Sequence, residues 1–202
     1  MEFLLSASIG FLLGSIPTAF IIMKKAKGID ITTSGSGNVG AMNSFEVSRS
    51  KKIGFLVFFI DFLKGIIAVL LVRFLLGDSF IFSSLASLFT IFSHCFNPWL
   101  NFKGGRGLAT AAGISIILFP ALLVIWIFSW ITIYLIKKDI LLSNIIATVL
   151  ALVLSYILIN QDFIFLYTKK VDIAELLLFT SGVLLIIFIK HIEPLKELIS
   201  KK

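Results

Sequence analysis

Residues 108–136 read LATAAGISIILFPALLVIWIFSWITIYLI, 29 positions without one charged side chain. A hydrocarbon core of roughly 30 Å is crossed by about 20 apolar residues in a helix. The run is therefore long for one upright crossing and short for two. Pro120 governs how it is cut. Proline cannot give the backbone hydrogen bond of a helix interior, yet it suits the first helical turn. A turn at Phe119-Pro120-Ala121 makes two short helices of the run; without it, the run is one long tilted helix.

Five further apolar stretches surround this one, at 3–23, 53–76, 80–100, 140–159 and 173–189. Over all 202 residues, 58% are hydrophobic and 14% charged, with a mean hydropathy of +1.07. Soluble domains carry about 25% charged residues, because they must cover a core with a solvated surface. Lipid as the solvent removes that demand. The fold class predicted is all-α, a polytopic membrane helix bundle forming a single domain over residues 1–202. Glu2 stands where a secretory leader would carry basic residues, so 3–23 reads as the first permanent span.

Charge decides between six and seven spans. Lys24, Lys25, Lys27, Arg49, Lys51 and Lys52 assign the first loop to the cytoplasm, with the N-terminus outside. Cutting 108–136 in two then brings Lys137, Lys138, Lys190, Lys196, Lys201 and Lys202 to the same side, leaving only Lys169 and Lys170 outside. Left whole, the run carries the dilysine and the basic tail outward. The bias favours seven transmembrane helices, with segments 24–52, 101–107 and 190–202 on one face. The net charge of +7 sits beside apolar segments rather than along a polar face, which fits topology signals and anionic lipids and gives no support to a nucleic-acid partner.

Four polar groupings carry chemical content. In SGSGNVGAMN, at Ser34–Asn43, glycines allow tight turns that aim successive N–H groups at one anion, and Ser34, Ser36, Asn38 and Asn43 add side-chain donors; an ordinary flexible loop is the competing reading. In NFKGGRG, at 101–107, Gly104, Gly105 and Gly107 with Lys103 and Arg106 precede a helix start, as in a phosphate cradle. A basic turn that only holds topology competes with it. The spacing is not that of a nucleotide P-loop.

Asp61 and Lys64 share a helix face inside an apolar stretch, either as a functional pair that orients His94 or as a structural ion pair. His94 is an acid–base candidate or a hydrogen-bonded core residue, and His191 a catalytic candidate or an interfacial cap. His94, Cys95 and His191 lack a metal-ligand spacing, so neither metal nor cofactor is expected.

Together these segments resemble the bacterial acyl-phosphate-dependent glycerol-3-phosphate acyltransferases, the PlsY family. That family carries motifs close to SGSGNPGATN and FKGGKGVAT, and this chain has SGSGNVGAMN and FKGGRGLAT. GSIPTA at Gly14–Ala19, Asp61 with Lys64-Gly65, and His94 with Asn97-Pro98 also agree, in order along nearly the whole chain. The resemblance implies a multi-pass bacterial inner-membrane enzyme, monomeric, with its site on the cytoplasmic face. It would move a fatty acyl group from acyl phosphate to the sn-1 hydroxyl of glycerol 3-phosphate in phospholipid synthesis.

Ser34, Lys103 and His191 would then be catalytic. Ser36, Asn38, Asn43, His94, Gly104, Gly105, Arg106 and Gly107 would bind substrate, with Asp61 and Lys64 in support. The chain departs from the family at Glu46, where an arginine is usual, and in the third motif, close to HxxNIxRLxxGxE. There Pro194 replaces the asparagine and Glu197 the arginine. Another acceptor, or a weakly catalytic binding or regulatory role, is the alternative those departures raise.

Overall fold

The computed structural model describes residues 1–158 and 171–200. Every described element is helical: α1 (Glu2–Gly14), α2 (Thr18–Lys27), α3 (Ala41–Ser48), α4 (Lys51–Leu76), α5 (Phe80–Cys95), a 3-10 turn (Pro98–Leu100), α6 (Leu108–Leu118), α7 (Pro120–Lys137), α8 (Ile140–Leu158) and α9 (Ile173–Ser200). Six stretches are long and apolar enough to cross a membrane, the first of them α1 and α2 taken together. The chain is thus an all-α polytopic membrane bundle. Lys169, Lys170, Lys201 and Lys202 lie outside the described residues.

The cut at Pro120 is present. Phe119 leaves helical geometry at φ −153°, ψ 75°, and Pro120 opens α7. At 1.5 Å per residue, α6 is about 16 Å long, half of a hydrocarbon core. The first span differs from its reading as one helix, because Ser15-Ile16-Pro17 interrupt it. Pro17 lacks the N–H that would continue α1. The tail differs too: 190–200 continues α9 as helix, with Pro194 inside it. So does α3, which lies within what reads as a loop.

The chain forms two compact units, Met1–Ile117 and Leu118–Lys202. The first is packed through small residues. Ser6, Gly10 and Gly14 repeat at i, i+4 and i+8 on the buried face of α1. A side chain at Gly10 would fall on the carbonyl of Ala86, and one at Gly14 on Thr90 and Ser93 of α5. Gly65 of α4 and Gly113 of α6 meet backbone in the same way, at Thr110 and Phe62. Such residues let helix backbones approach where lipid supplies no hydrophobic drive between them.

The second unit relies on polar ties between α7 and α8. Trp130 Nε1 donates to Asn144 Oδ1 at 2.7 Å and Trp126 Nε1 to Thr148 Oγ1 at 3.1 Å. Lys138 turns left-handed at φ 54°, and Asp139 then starts α8 by accepting from Leu142 N at 2.7 Å. Tyr156 and Ser181 join α8 to α9 through their hydroxyls, 2.8 Å apart.

Candidate active site

The segment between α2 and α3 is a chain of turns held by its own polar groups. Gly28 closes α2 in a left-handed conformation, with its N–H on Lys24 O. Asp30 Oδ1 then accepts from Thr32 N at 2.9 Å and Thr32 Oγ1 at 2.7 Å, while Asp30 O accepts the Ser34 hydroxyl at 2.7 Å. The Thr32 hydrogen bonds hold the half-buried Asp30 carboxyl below its ordinary pKa, and the charges of Lys24 and Lys103 add to that. Lys103 of the second loop therefore acts on Asp30 of the first.

Gly35 and Gly37 adopt φ of 59° and 68°, a region that favours glycine. Asn43, 2% exposed, reaches back from α3 to hold them. Its Oδ1 accepts from Ser36 N at 3.0 Å, and its Nδ2 donates to Ser34 O at 3.0 Å and Asn38 O at 2.9 Å. Both amide hydrogens are spent on the loop, so Asn43 shapes the turn rather than presenting donors. Ser34, Ser36 and Asn38 remain at or near the surface.

The second loop is built on α5. Asn97 Oδ1 accepts from Trp99 N at 3.1 Å and starts the 3-10 turn, and Asn97 O accepts from Phe102 N at 2.9 Å. Asn101 and Phe102 are both left-handed, at φ 52° and 60°; non-glycine residues hold that conformation only under constraint. Lys103 emerges exposed, Arg106 is half-buried, and Gly104, Gly105 and Gly107 are buried. A side chain at Gly104 would overlap the carbonyls of His94 and Cys95, and one at Gly105 the His94 ring.

Val39 N donates to Gly104 O at 3.2 Å and joins the two loops. Helices α3 and α6 each start within a few residues of that bond, and no side chain caps α3. Uncapped first-turn N–H groups, hydroxyls and cations carried by two joined segments are groups that suit a phosphate.

Beneath the loops, Asp61, Lys64 and His94 are all buried. Lys64 Nζ lies 2.9 Å from Asp61 Oδ1 and 2.7 Å from His94 Nδ1, and 3.4 Å from the carbonyls of both Gly14 and Ile16. Asn97 Nδ2 takes the intervening carbonyl, Ser15 O, at 2.7 Å. The interruption in the first span is thus satisfied by Lys64 and Asn97, together with Thr18 N, which donates to Ile16 O at 2.9 Å. In the second unit, buried His191 donates from Nδ1 to Ile187 O at 2.8 Å.

A family model described as glycerol-3-phosphate acyltransferase matches residues 4–201. The chain belongs to the glycerol-3-phosphate acyltransferase family. A member from Bartonella henselae is 39% identical over 144 residues, covering 70% of this chain and 68% of the relative. One from Pelagibacter ubique is 34% identical and covers 100% and 96%. Two crystal structures of PlsY (YgiH), an integral membrane glycerol 3-phosphate acyltransferase, share the fold. Its glycerol 3-phosphate form superposes with a TM-score of 0.80 at 30% identity, covering 100% of this chain and 94% of that one. The lysophosphatidic acid form gives 0.78 at 31%, covering 100% and 93%. Family membership makes this chain a multi-pass inner-membrane acyltransferase of lipid metabolism.

Sequence reading missed two contributors. Asn97 matched the family pattern but showed no role until Ser15 O was seen as its partner, and only Pro17 signalled that the first span would leave carbonyls to satisfy. Asp30 drew no attention, although Asp-x-Thr is a recognisable local turn pattern.

Proposed function

We propose that the joined loops bind the phosphate of an acyl phosphate and assist transfer of its acyl group to the sn-1 hydroxyl of glycerol 3-phosphate. The bond from Val39 to Gly104 carries this reading, because it makes one surface of two glycine-rich, donor-rich segments. The acceptor oxygen forms a bond to the acyl carbon, the bond from that carbon to the phosphate oxygen breaks, and lysophosphatidic acid and inorganic phosphate result.

Ser34, Ser36, Asn38, Lys103 and Arg106 are the groups assigned to phosphate. Charge gathering on the carbonyl and leaving phosphate is stabilised by fixed donors and cations, usually a large term in catalysis. Ser34 donates its hydroxyl hydrogen bond to Asp30 O, so it turns toward phosphate only by releasing that bond. His191 is assigned to the acceptor hydroxyl, whose proton its Nε2 takes; the Nδ1 bond to Ile187 O supports that tautomer. Gly104, Gly105, Gly107, His94 and Asn43 set the loop shape from buried positions.

The whole chain is proposed to act as one monomeric domain, a reading supported by a family match running from residue 4 to 201. Seven crossings are proposed, with α6 and α7 separate, and the basic residues of the first loop assign both loops to the cytoplasmic face. In a Cys95→Ser background, cysteines at 101 and 138 then label from the same side; labelling from opposite sides means six crossings.

The deciding experiment is phosphate release from acyl phosphate by detergent-purified protein. Release that requires glycerol 3-phosphate, and that drops about a hundredfold or more in Lys103→Ala, supports the assignment. Normal turnover in that variant sinks it.

A further inference from the structure

One side chain outside the phosphate surface joins the break in the first span to the His94 ring beneath the second loop. Lys64 is 4% exposed in a helix of apolar neighbours. Asp61 alone would balance its charge. Yet the ammonium also reaches His94 Nδ1 and the carbonyls of Gly14 and Ile16, where α1 and α2 part. Gly14 O, at the end of α1, lacks a helical partner, as helix ends do, and Ile16 O accepts from Thr18 N at 2.9 Å as well as from Lys64.

An ammonium has only hydrogens to give. His94 Nδ1 therefore accepts from Lys64, and the proton of the neutral ring resides on Nε2. That nitrogen lies in the way of any side chain at Gly105. Gly105 N in turn donates to His94 O at 3.1 Å, and Gly104 O accepts from Val39 N. A continuous path runs from the interrupted first span through Lys64 and the His94 ring to the bond that joins the two loops.

We infer that Lys64 is a positioning residue for acyl transfer, fixing the first-span break and the His94 ring together and so setting where the Gly104–Gly105 backbone holds Lys103. This inference rests on reading the loops as the phosphate site. A bundle-stabilising ion pair would need neither the histidine nor the two carbonyls.

The chain has two histidines, so ring signals of protein labelled with 15N-histidine are assigned with His191→Gln. Lys64→Met alone strands the Asp61 carboxylate and risks unfolding; the charge-neutral double variant Asp61→Asn/Lys64→Met is the working one. In the parent, His94 should show a neutral ring protonated at Nε2. The folded double variant should lose that signature and shift the Gly104 and Gly105 amide signals. Its kcat should fall about a hundredfold, the scale of an ångström of misplacement, with a smaller change in KM for acyl phosphate. Unchanged His94 and glycine signals overturn the inference, and so does unchanged kcat. Full turnover in Lys103→Ala would defeat the phosphate reading instead, while the His94 and Gly105 signals still report whether Lys64 governs the loop.

Discussion

Val39 and Gly104, 65 positions apart in sequence, share a backbone hydrogen bond of 3.2 Å, with Val39 donating. Each residue lies at the heart of a glycine-rich segment, and neither offers a side chain to a ligand. The two segments consequently share one geometry, and a change that moves one backbone moves the donors of the other.

Asn43 is where the first loop is most vulnerable. Replacing it by Ala removes three hydrogen bonds from a site 2% exposed and leaves two carbonyls and an N–H to find other partners. Such losses cost about 1–3 kcal/mol, read as a lower unfolding midpoint in detergent. Asn43→Asp should be worse, since a carboxylate would face the carbonyls of Ser34 and Asn38 with no hydrogen to give. Equal midpoints for Asp and Ala would show that the clamp contributes little.

The glycines should divide sharply by environment. Gly105→Ala drives a methyl group onto the His94 ring and should lower turnover about a hundredfold by displacing the loop. Gly28→Ala meets no atom within 4 Å but must hold φ 69°. A left-handed alanine costs about 1–2 kcal/mol, so stability should drop with turnover kept. Steady-state rates and unfolding midpoints of both variants test the contrast. Near-normal turnover in Gly105→Ala would remove the steric argument.

The helices were legible because a charge-free run and a proline are strong, local signals. The 119–120 cut needed the lysine bias as well, because the run and its proline alone leave one long tilted helix open. The glycine loops were legible as donor-rich segments, again from local signals. Their mutual contact was not, since it depends on two backbone atoms whose residue types carry no mark of it. The interruption at Ser15–Pro17 was hidden by hydrophobicity, which is blind to unsatisfied carbonyls; its partners, Lys64 and Asn97, sit 48 or more residues away. Helix in the tail was obscured by Pro194 and by charges that suit a solvated surface as well as a loop.

Asp30 gives the first loop a pH limit. Its carboxyl is held below its ordinary value of 3.8, mainly by the Thr32 hydrogen bonds. A lowered folded pKa means that the carboxylate's contribution is complete above the ordinary value. It is lost as pH falls through the lowered one. The Thr32 amide signal should therefore titrate with a midpoint under 3.8, and stay flat in that window in Asp30→Asn. A midpoint at or above 3.8 would contradict the bonding pattern.

Pro194 separates the cost of the altered third motif from its chemistry. It lies inside α9, where it cannot donate to the carbonyl of residue 190, and a proline in a helix interior costs about 3 kcal/mol relative to alanine. Pro194→Ala should therefore raise the unfolding midpoint and leave the KM for glycerol 3-phosphate unchanged. Pro194→Asn should recover most of that stability and add an amide one helical turn from His191, where the family carries one. If that amide serves the acceptor, KM for glycerol 3-phosphate falls in the Asn variant alone, while KM for acyl phosphate stays put. An equal KM in the Ala and Asn variants would mean that this chain holds its acceptor without a donor at 194.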